Sequence, residues 1–244
     1  MSEPDPVEAA ETTTGRTASV DRRFTFFLFA LIFLFFVYLP LTPPLPVEPF
    51  DLMVYALLLS AVYAVGGQRR SFIIAVVLAI PSFVIISLVD LQDPQSTLAA
   101  IVAIAAVMIF VAYVTWVLMR RVFSEGTVTL HVISGAFCVY LLLGFLWTMA
   151  YGMVEVVAPG SFRLSSPDGA LDPGRLTTDT IATLHYFSFI TITTAGYGDV
   201  TPVNSVARSL AVLESVTNQI FLAVMVASLV GRYTAQFLSR DNAG

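Results

Sequence analysis

Residues 191–202, TITTAGYGDVTP, place four threonines, two glycines, an aspartate and a proline close together near the C-terminal end of a 244-residue chain. That chain is otherwise suited to oil: 57% of it is hydrophobic, only 12% is charged, and its mean hydropathy is +0.84. The charged share is about half that of an ordinary soluble domain. Several apolar runs reach the roughly 17–25 residues that span a bilayer. A soluble helical core would need a polar face on each helix, and most of these runs show none. The composition is that of an integral membrane protein, and a glycine-broken polar stretch inside it needs a physical reason.

The neighbouring residues supply one. Before the stretch, TTDTIATLHYFSFIT reads as a helix capped by Thr177 or Thr178, with Asp179 at the positive end of its dipole. At about 14 residues it is roughly 21 Å long, too short to cross. After the stretch, residues 205–230 form an apolar run long enough to cross. A short helix in, a glycine-rich return and a full span out make a re-entrant loop. Irregular backbone cannot face lipid, so it must be buried in protein or line a watery cavity. Gly196 and Gly198 flank Tyr197 and let alternate residues turn left-handed at little steric cost. Such alternation can aim successive carbonyls at one axis, where they replace the hydration shell of a monovalent cation.

The rest of the chain is organised around spans. Residues 1–21 are polar, acidic and threonine-rich and read as a disordered cytoplasmic tail. Spans are expected at 24–39, 50–65, 71–89, 98–119, 128–157 and 205–230. The first follows Arg22 and Arg23, but its bulky end and missing small-residue cleavage site argue against a signal peptide. In the fifth, Gly135, Gly144 and Gly152 suit close helix packing.

With the N-terminus inside, Arg22, Arg23, Arg69, Arg70, Arg120, Arg121, Arg232 and Arg240 all fall on the cytoplasmic side. The other side collects Glu48, Asp51, Asp90, Asp93, Asp168, Asp172, Asp179 and Asp199 against Arg163, Arg175 and Arg208. The expectation is therefore an all-α, multi-pass protein of the cell membrane with six transmembrane helices and both termini cytoplasmic. Its units are the tail 1–21, a four-helix membrane domain 22–121, a pore domain 122–234 and a short cytoplasmic tail 235–244.

TITTAGYGD resembles the selectivity filter of potassium channels, and the resemblance covers residues 178–231. Thr194, Ala195, Gly196, Tyr197 and Gly198 stand where the family has Thr-Val-Gly-Tyr-Gly, and Asp199 follows as it does there. Tyr186, Phe187 and Ser188 fall on the family's aromatic-aromatic-polar patch of the pore helix. PVNSVARSLAVLE and QIFLAVMVASLVGRY resemble the inner helix of prokaryotic members. The resemblance implies that the carbonyls of Thr194, Ala195, Gly196 and Tyr197 bind K+, with the Thr194 hydroxyl closing the inner end. It implies that Tyr197 points away and braces against Tyr186 and Phe187, with Thr193 and Asp199 also supporting the filter. Gln219, Leu222, Val226 and Val230 would face the pore. One filter per chain cannot enclose an ion, so four identical chains around one axis are required.

No cofactor, no catalysis and no metal beyond the permeant K+ is implied; the partners are membrane lipids and identical chains. Thirteen residues follow Gly231, so a gating partner, where there is one, would be another protein. Three departures stand out. Ala195 replaces a bulkier β-branched residue, Asn218 falls where many members place a hinge glycine, and Gly231 is expected only to terminate the inner helix.

Other residues take simpler readings. Glu214, an acid inside the sixth span, lies well over 90° from the mean direction of the pore-facing residues, at about 100° per residue, and reads as bracing the inner helix against the pore helix. His185 reads as a structural hydrogen-bonding group, His131 as interfacial and Cys138 as a small core residue that leaves no disulfide framework. Trp116 and Trp147 sit toward span ends. The fourth span carries none of the arginines that a voltage sensor of that type needs. The net charge of −5 argues against nucleic acid.

GYGD also fits the Gly-x-Gly-Asp pattern of intramembrane aspartyl proteases, but these need a second aspartate in a Tyr-Asp pair, and this sequence has no such pair. A poorly selective monovalent cation channel is the closer alternative, kept open by Ala195.

Overall fold

The computed structural model describes residues 23–39, 49–66, 69–92, 96–124, 128–165 and 177–241. The expected tail 1–21 lies outside the described residues, as do Arg22, Glu48, Asp93, Asp168, Asp172 and Arg175. Seven helices and a two-stranded ladder follow in the order α1 (Arg23–Tyr38), α2 (Pro49–Val65), α3 (Arg69–Gln92), α4 (Thr97–Ser124), α5 (Leu130–Val157), β1 (Phe162–Leu164), α6 (Thr178–Ile192), β2 (Val200–Pro202) and α7 (Ser205–Asp241). The last part of α1, Phe33–Tyr38, is wound as a π-helix.

Four helices among the described residues are long and apolar enough to cross a bilayer, namely 69–87 within α3, α4, α5 and 205–238 within α7. The apolar helices α1 and α2 are shorter. At about 1.5 Å per residue neither reaches the ~30 Å of a bilayer core in a straight line.

The arrangement centres on α5. Within its apolar window 61% of residues are buried, against 17% in α3 and in α7. Three small or polar positions explain how neighbours approach so closely. Gly135 faces Val122 of α4, Gly144 faces Phe189 of α6, and Thr148 donates to its own helix at Gly144 O, 3.0 Å away. α1 lies across α5 and α6 through aromatic rings. Phe35 stacks on Phe145 with centroids 5.2 Å apart, and Phe36 meets Phe189 edge-on at 5.5 Å. Cys138 is buried there, its Sγ donating to the carbonyl of Phe24 at 3.8 Å.

Two arginines close the ends of helices other than their own. Arg121 donates to the carbonyls of Ala64 and Val65 at the end of α2, at 3.4 and 2.9 Å. Arg232 of α7 donates to Val122 O near the end of α4, at 2.9 Å. The final carbonyls of a helix have no intrahelical donor, and an arginine is a good substitute.

Arg232 also explains where the sequence reading of the inner helix fails. Gly231 does not end α7, which runs through it to Asp241. A mid-helix glycine costs only about 1 kcal/mol relative to alanine. The Arg232 bond to α4, and the acceptance of Val128 N–H by Gln236 at 3.3 Å, hold the continued helix against the preceding segment.

The contact at Gly144 yields a test. A Cβ added there would lie 2.8 Å from Cε2 of Phe189 and 2.9 Å from its Cζ. The ring cannot easily retreat, because Phe35, Phe36 and His185 lie 6.2, 5.5 and 4.5 Å from it. Gly144→Ala should cost roughly 1–3 kcal/mol by overpacking. It should lower the melting temperature in detergent, and Phe189→Leu in the same chain should recover part of the loss.

Candidate functional site

α6 is built as an isolated short helix must be. Thr177 caps it, its side chain accepting from Thr180 N–H at 3.2 Å, and Asp179 occupies the first turn. At the other end the helix tightens before it stops. Thr193 N–H donates to Phe189 O, Thr194 N–H to Thr191 O, and both Ala195 and Gly196 N–H to Ile190 O, at 2.9–3.2 Å. The first backbone N–H groups after the helix are therefore turned back onto it.

The carbonyls go elsewhere. Thr194, Gly196 and Gly198 have φ of +60°, +53° and +77°, whereas Ala195 and Tyr197 between them stay out of the left-handed region. Among the described residues, the carbonyls of Thr194, Ala195, Gly196 and Tyr197 accept no hydrogen bond. The series then ends abruptly. Gly198 O accepts from the Ser165 hydroxyl at 3.3 Å, and Asp199 O from Ser165 N–H at 2.8 Å.

The left-handed φ at Gly196 and Gly198 suits glycine; at Thr194 it is a strained conformation for a β-branched residue, at a cost of order 1–3 kcal/mol. Nothing in the sequence pattern marks Thr194 as left-handed. In the single chain residues 193–199 are all exposed, Tyr197 at 73%.

The supporting residues fall into two groups. Tyr186 donates to the Asp199 carboxylate at 2.7 Å, and the other carboxylate oxygen accepts from Val200 N–H at 3.1 Å. Thr193 donates its hydroxyl to Phe189 O at 2.6 Å, tightening the end of α6. Phe187 does not stack on Tyr197 of its own chain. Its ring lies 5.1 Å from Tyr151 and 5.3 Å from Phe162, toward α5 and β1.

Behind α6 lies a buried polar knot. Glu214 of α7 is fully buried and accepts from the hydroxyls of Ser188 at 2.6 Å and of Tyr151. Ser188 also reaches Gly144 O at 2.8 Å, and Thr148 Oγ1 lies 3.3 Å from Nδ1 of His185. Nε2 of His185 has no partner among the described residues. The knot joins α5, α6 and α7 through side chains and the Gly144 carbonyl.

Tyr151 and Thr148 went unread in the sequence, although Gly144, Thr148 and Tyr151 recur at the four-and-three spacing of one helix face. Asn218 is buried in the same region, its Nδ2 donating to Glu214 O at 2.9 Å. Gln219, Leu222, Val226 and Val230 lie on the exposed side of α7, which Glu214 and Asn218 do not share.

Removing the acceptor of the knot should be costly. Glu214→Ala leaves the Tyr151 hydroxyl without a partner and opens a cavity, a loss of roughly 2–5 kcal/mol. Glu214→Gln should lose less, because an amide oxygen still accepts from Tyr151. Thermal unfolding in detergent checks the order.

Comparison with known proteins adds one positive result. No curated protein and no solved structure matches the chain. Residues 127–235, which carry α5, α6, the 193–199 stretch and most of α7, match the family model described as ion channel. Together with four helices of bilayer length, this match supports an all-α membrane protein with an ion-channel pore segment at 127–235.

Proposed function

We propose that the chain is one subunit of a homotetrameric, potassium-selective channel that conducts K+ passively across the cell membrane. The observation that carries this reading is the run of four successive carbonyls, at Thr194, Ala195, Gly196 and Tyr197, that no donor occupies, on backbone that alternates in handedness. Unpaired carbonyls at membrane depth are tolerated only where they line a watery or ion-filled path. Four chains would bring four such columns to one axis, and rings of carbonyls can replace the hydration shell of a cation. The exposure of residues 193–199 in one chain fits a surface completed by identical neighbours.

In this reading K+ enters from the side of Asp199, sheds water as the carbonyls take over, and leaves past the Thr194 hydroxyl into a cavity. Gln219, Leu222, Val226 and Val230 line that cavity. Glu214 holds the inner helix to the pore helix away from the path. Tyr197, exposed in one chain, packs against the pore helix of a neighbouring chain.

Six spans require that the shorter α1 and α2 also cross, where local thinning of the bilayer makes up their length; residues 22–121 then form a membrane domain beside a pore domain at 122–234. Both termini are cytoplasmic, because the arginine ends of the helices then lie inside. The flux needs no cofactor and no covalent chemistry; the membrane gradient drives it. The small side chain of Ala195 favours one rival, a pore of the same build that discriminates poorly between monovalent cations.

Liposomes loaded with K+ and diluted into Na+ medium test the reading. The protein should let K+ out, build an inside-negative voltage and drive uptake of a cationic dye. Gly196→Ala or Gly198→Ala forces an L side chain into the left-handed region at about 1–2 kcal/mol in each of four chains. Dye uptake should then fall by more than about tenfold. Native mass spectrometry should find four 26.5 kDa chains per particle. Monomers with no flux would overturn the reading.

A further inference from the structure

The outer end of the 194–198 stretch is fixed by a segment far away in sequence. β1 precedes α6, and β2 follows the stretch at once; they pair antiparallel with Phe162 opposite Pro202, Arg163 opposite Thr201 and Leu164 opposite Val200. The ladder does not stop at β1. Ser165, the next residue, donates its N–H to Asp199 O at 2.8 Å and its hydroxyl to Gly198 O at 3.3 Å. At the opposite end, Val203 N–H donates to Ser161 O at 2.7 Å, and the Asn204 amide donates to the Ser161 hydroxyl.

The strand is itself anchored. Phe162 is 4% exposed, and its ring lies 5.3 Å from both Tyr151 and Phe187. Ser165 is exposed in the single chain, so its hydroxyl bond alone would compete with water. The ladder and the Phe162 anchor hold it in place.

Gly198 is the residue that needs such a tether. Its φ of +77° is one a glycine leaves as easily as it enters, and no Cβ restrains it. Its carbonyl is the first in the series with a donor; the four before it have none. One hydroxyl therefore marks the boundary between carbonyls left open and carbonyls taken out of use.

We propose that Ser165 is a positioning residue of the filter: it holds the Gly198 carbonyl off the ion path and fixes the outer limit of the coordinating set at Tyr197. The inference rests on the reading of residues 194–198 as a potassium filter. Without the hydroxyl, the Gly198 peptide is free to turn, the outermost ring loses its fixed geometry, and conduction fails from the outside. An ion bound in that ring opposes the failure by mass action, since it stabilises only the ordered arrangement. The defect should therefore depend on K+ at the outer face.

Planar-bilayer recordings of the full-length chain, its Ser165→Ala and Ser165→Thr variants, and a control test this. Ser134→Ala is the control, because that half-buried serine donates only to Leu130 O of its own helix. Current through Ser165→Ala should decay several-fold faster during sustained opening, and raised outer K+ should slow the decay again. Ser165→Thr, which keeps a hydroxyl, and Ser134→Ala should match the parent protein.

Equal decay in Ser165→Ala and the parent would overturn the proposal. So would a fast decay that threonine does not rescue, or one indifferent to outer K+. A parent current that fails to distinguish K+ from Na+ would instead sink the filter reading and this inference with it.

Discussion

Everything distinctive in this chain follows from one constraint: a backbone carbonyl in a bilayer must have a partner. Among the described residues, seven helices satisfy that demand along their lengths, and Arg121 and Arg232 serve carbonyls near the ends of α2 and α4. At Thr194, Ala195, Gly196 and Tyr197 four consecutive carbonyls do not, while the N–H groups of Ala195 and Gly196 are turned back onto Ile190 O. A polar group without a partner in a low-dielectric setting costs several kcal/mol. Such a row persists where something replaces the missing donors, and a partly dehydrated cation is such a replacement. The strained φ of +60° at Thr194 points the same way, because strain is retained where the surroundings over-determine it.

The surroundings do so from three sides. The end of α6 is tightened by the bonds of Thr193 and Thr194 to the preceding turn. The end at Asp199 is held by Tyr186 and by Ser165, the residue that follows β1. Behind α6, Ser188 meets both Gly144 O of α5 and the buried carboxyl of Glu214 on α7. The position of the open carbonyls is thus set by hydrogen bonds to three other elements. Apolar packing of α1 through Phe35 and Phe36 adds to this, from a helix that lies outside the matched segment 127–235.

Much of this was legible in the sequence, for identifiable reasons. The short helix, its Thr177 cap and the glycines at 196 and 198 are local signals, each tied to a backbone geometry that few residues permit. The long apolar runs announce their helices by length alone. The unread features are those in which distant residues meet. The pairing of β1 with β2 depends on three residues whose partners lie dozens of positions further along, with no alternation long enough to see. Tyr151 of α5 and Ser188 of α6 meet only at Glu214 of α7, whose carboxylate accepts from both hydroxyls. The run-on of α7 past Gly231 was missed because a glycine signals a stop locally, whereas Arg232 secures the helix through a bond to α4. The left-handed Thr194 has no signature in residue type at all.

The central claim is that open carbonyls select K+, and a bi-ionic reversal potential tests it most directly. With K+ on one side of a planar bilayer and Na+ on the other, the account predicts reversal close to the potassium equilibrium potential. A robust current that reverses near zero would contradict it: the stretch 194–198 would then line a pore without choosing the ion.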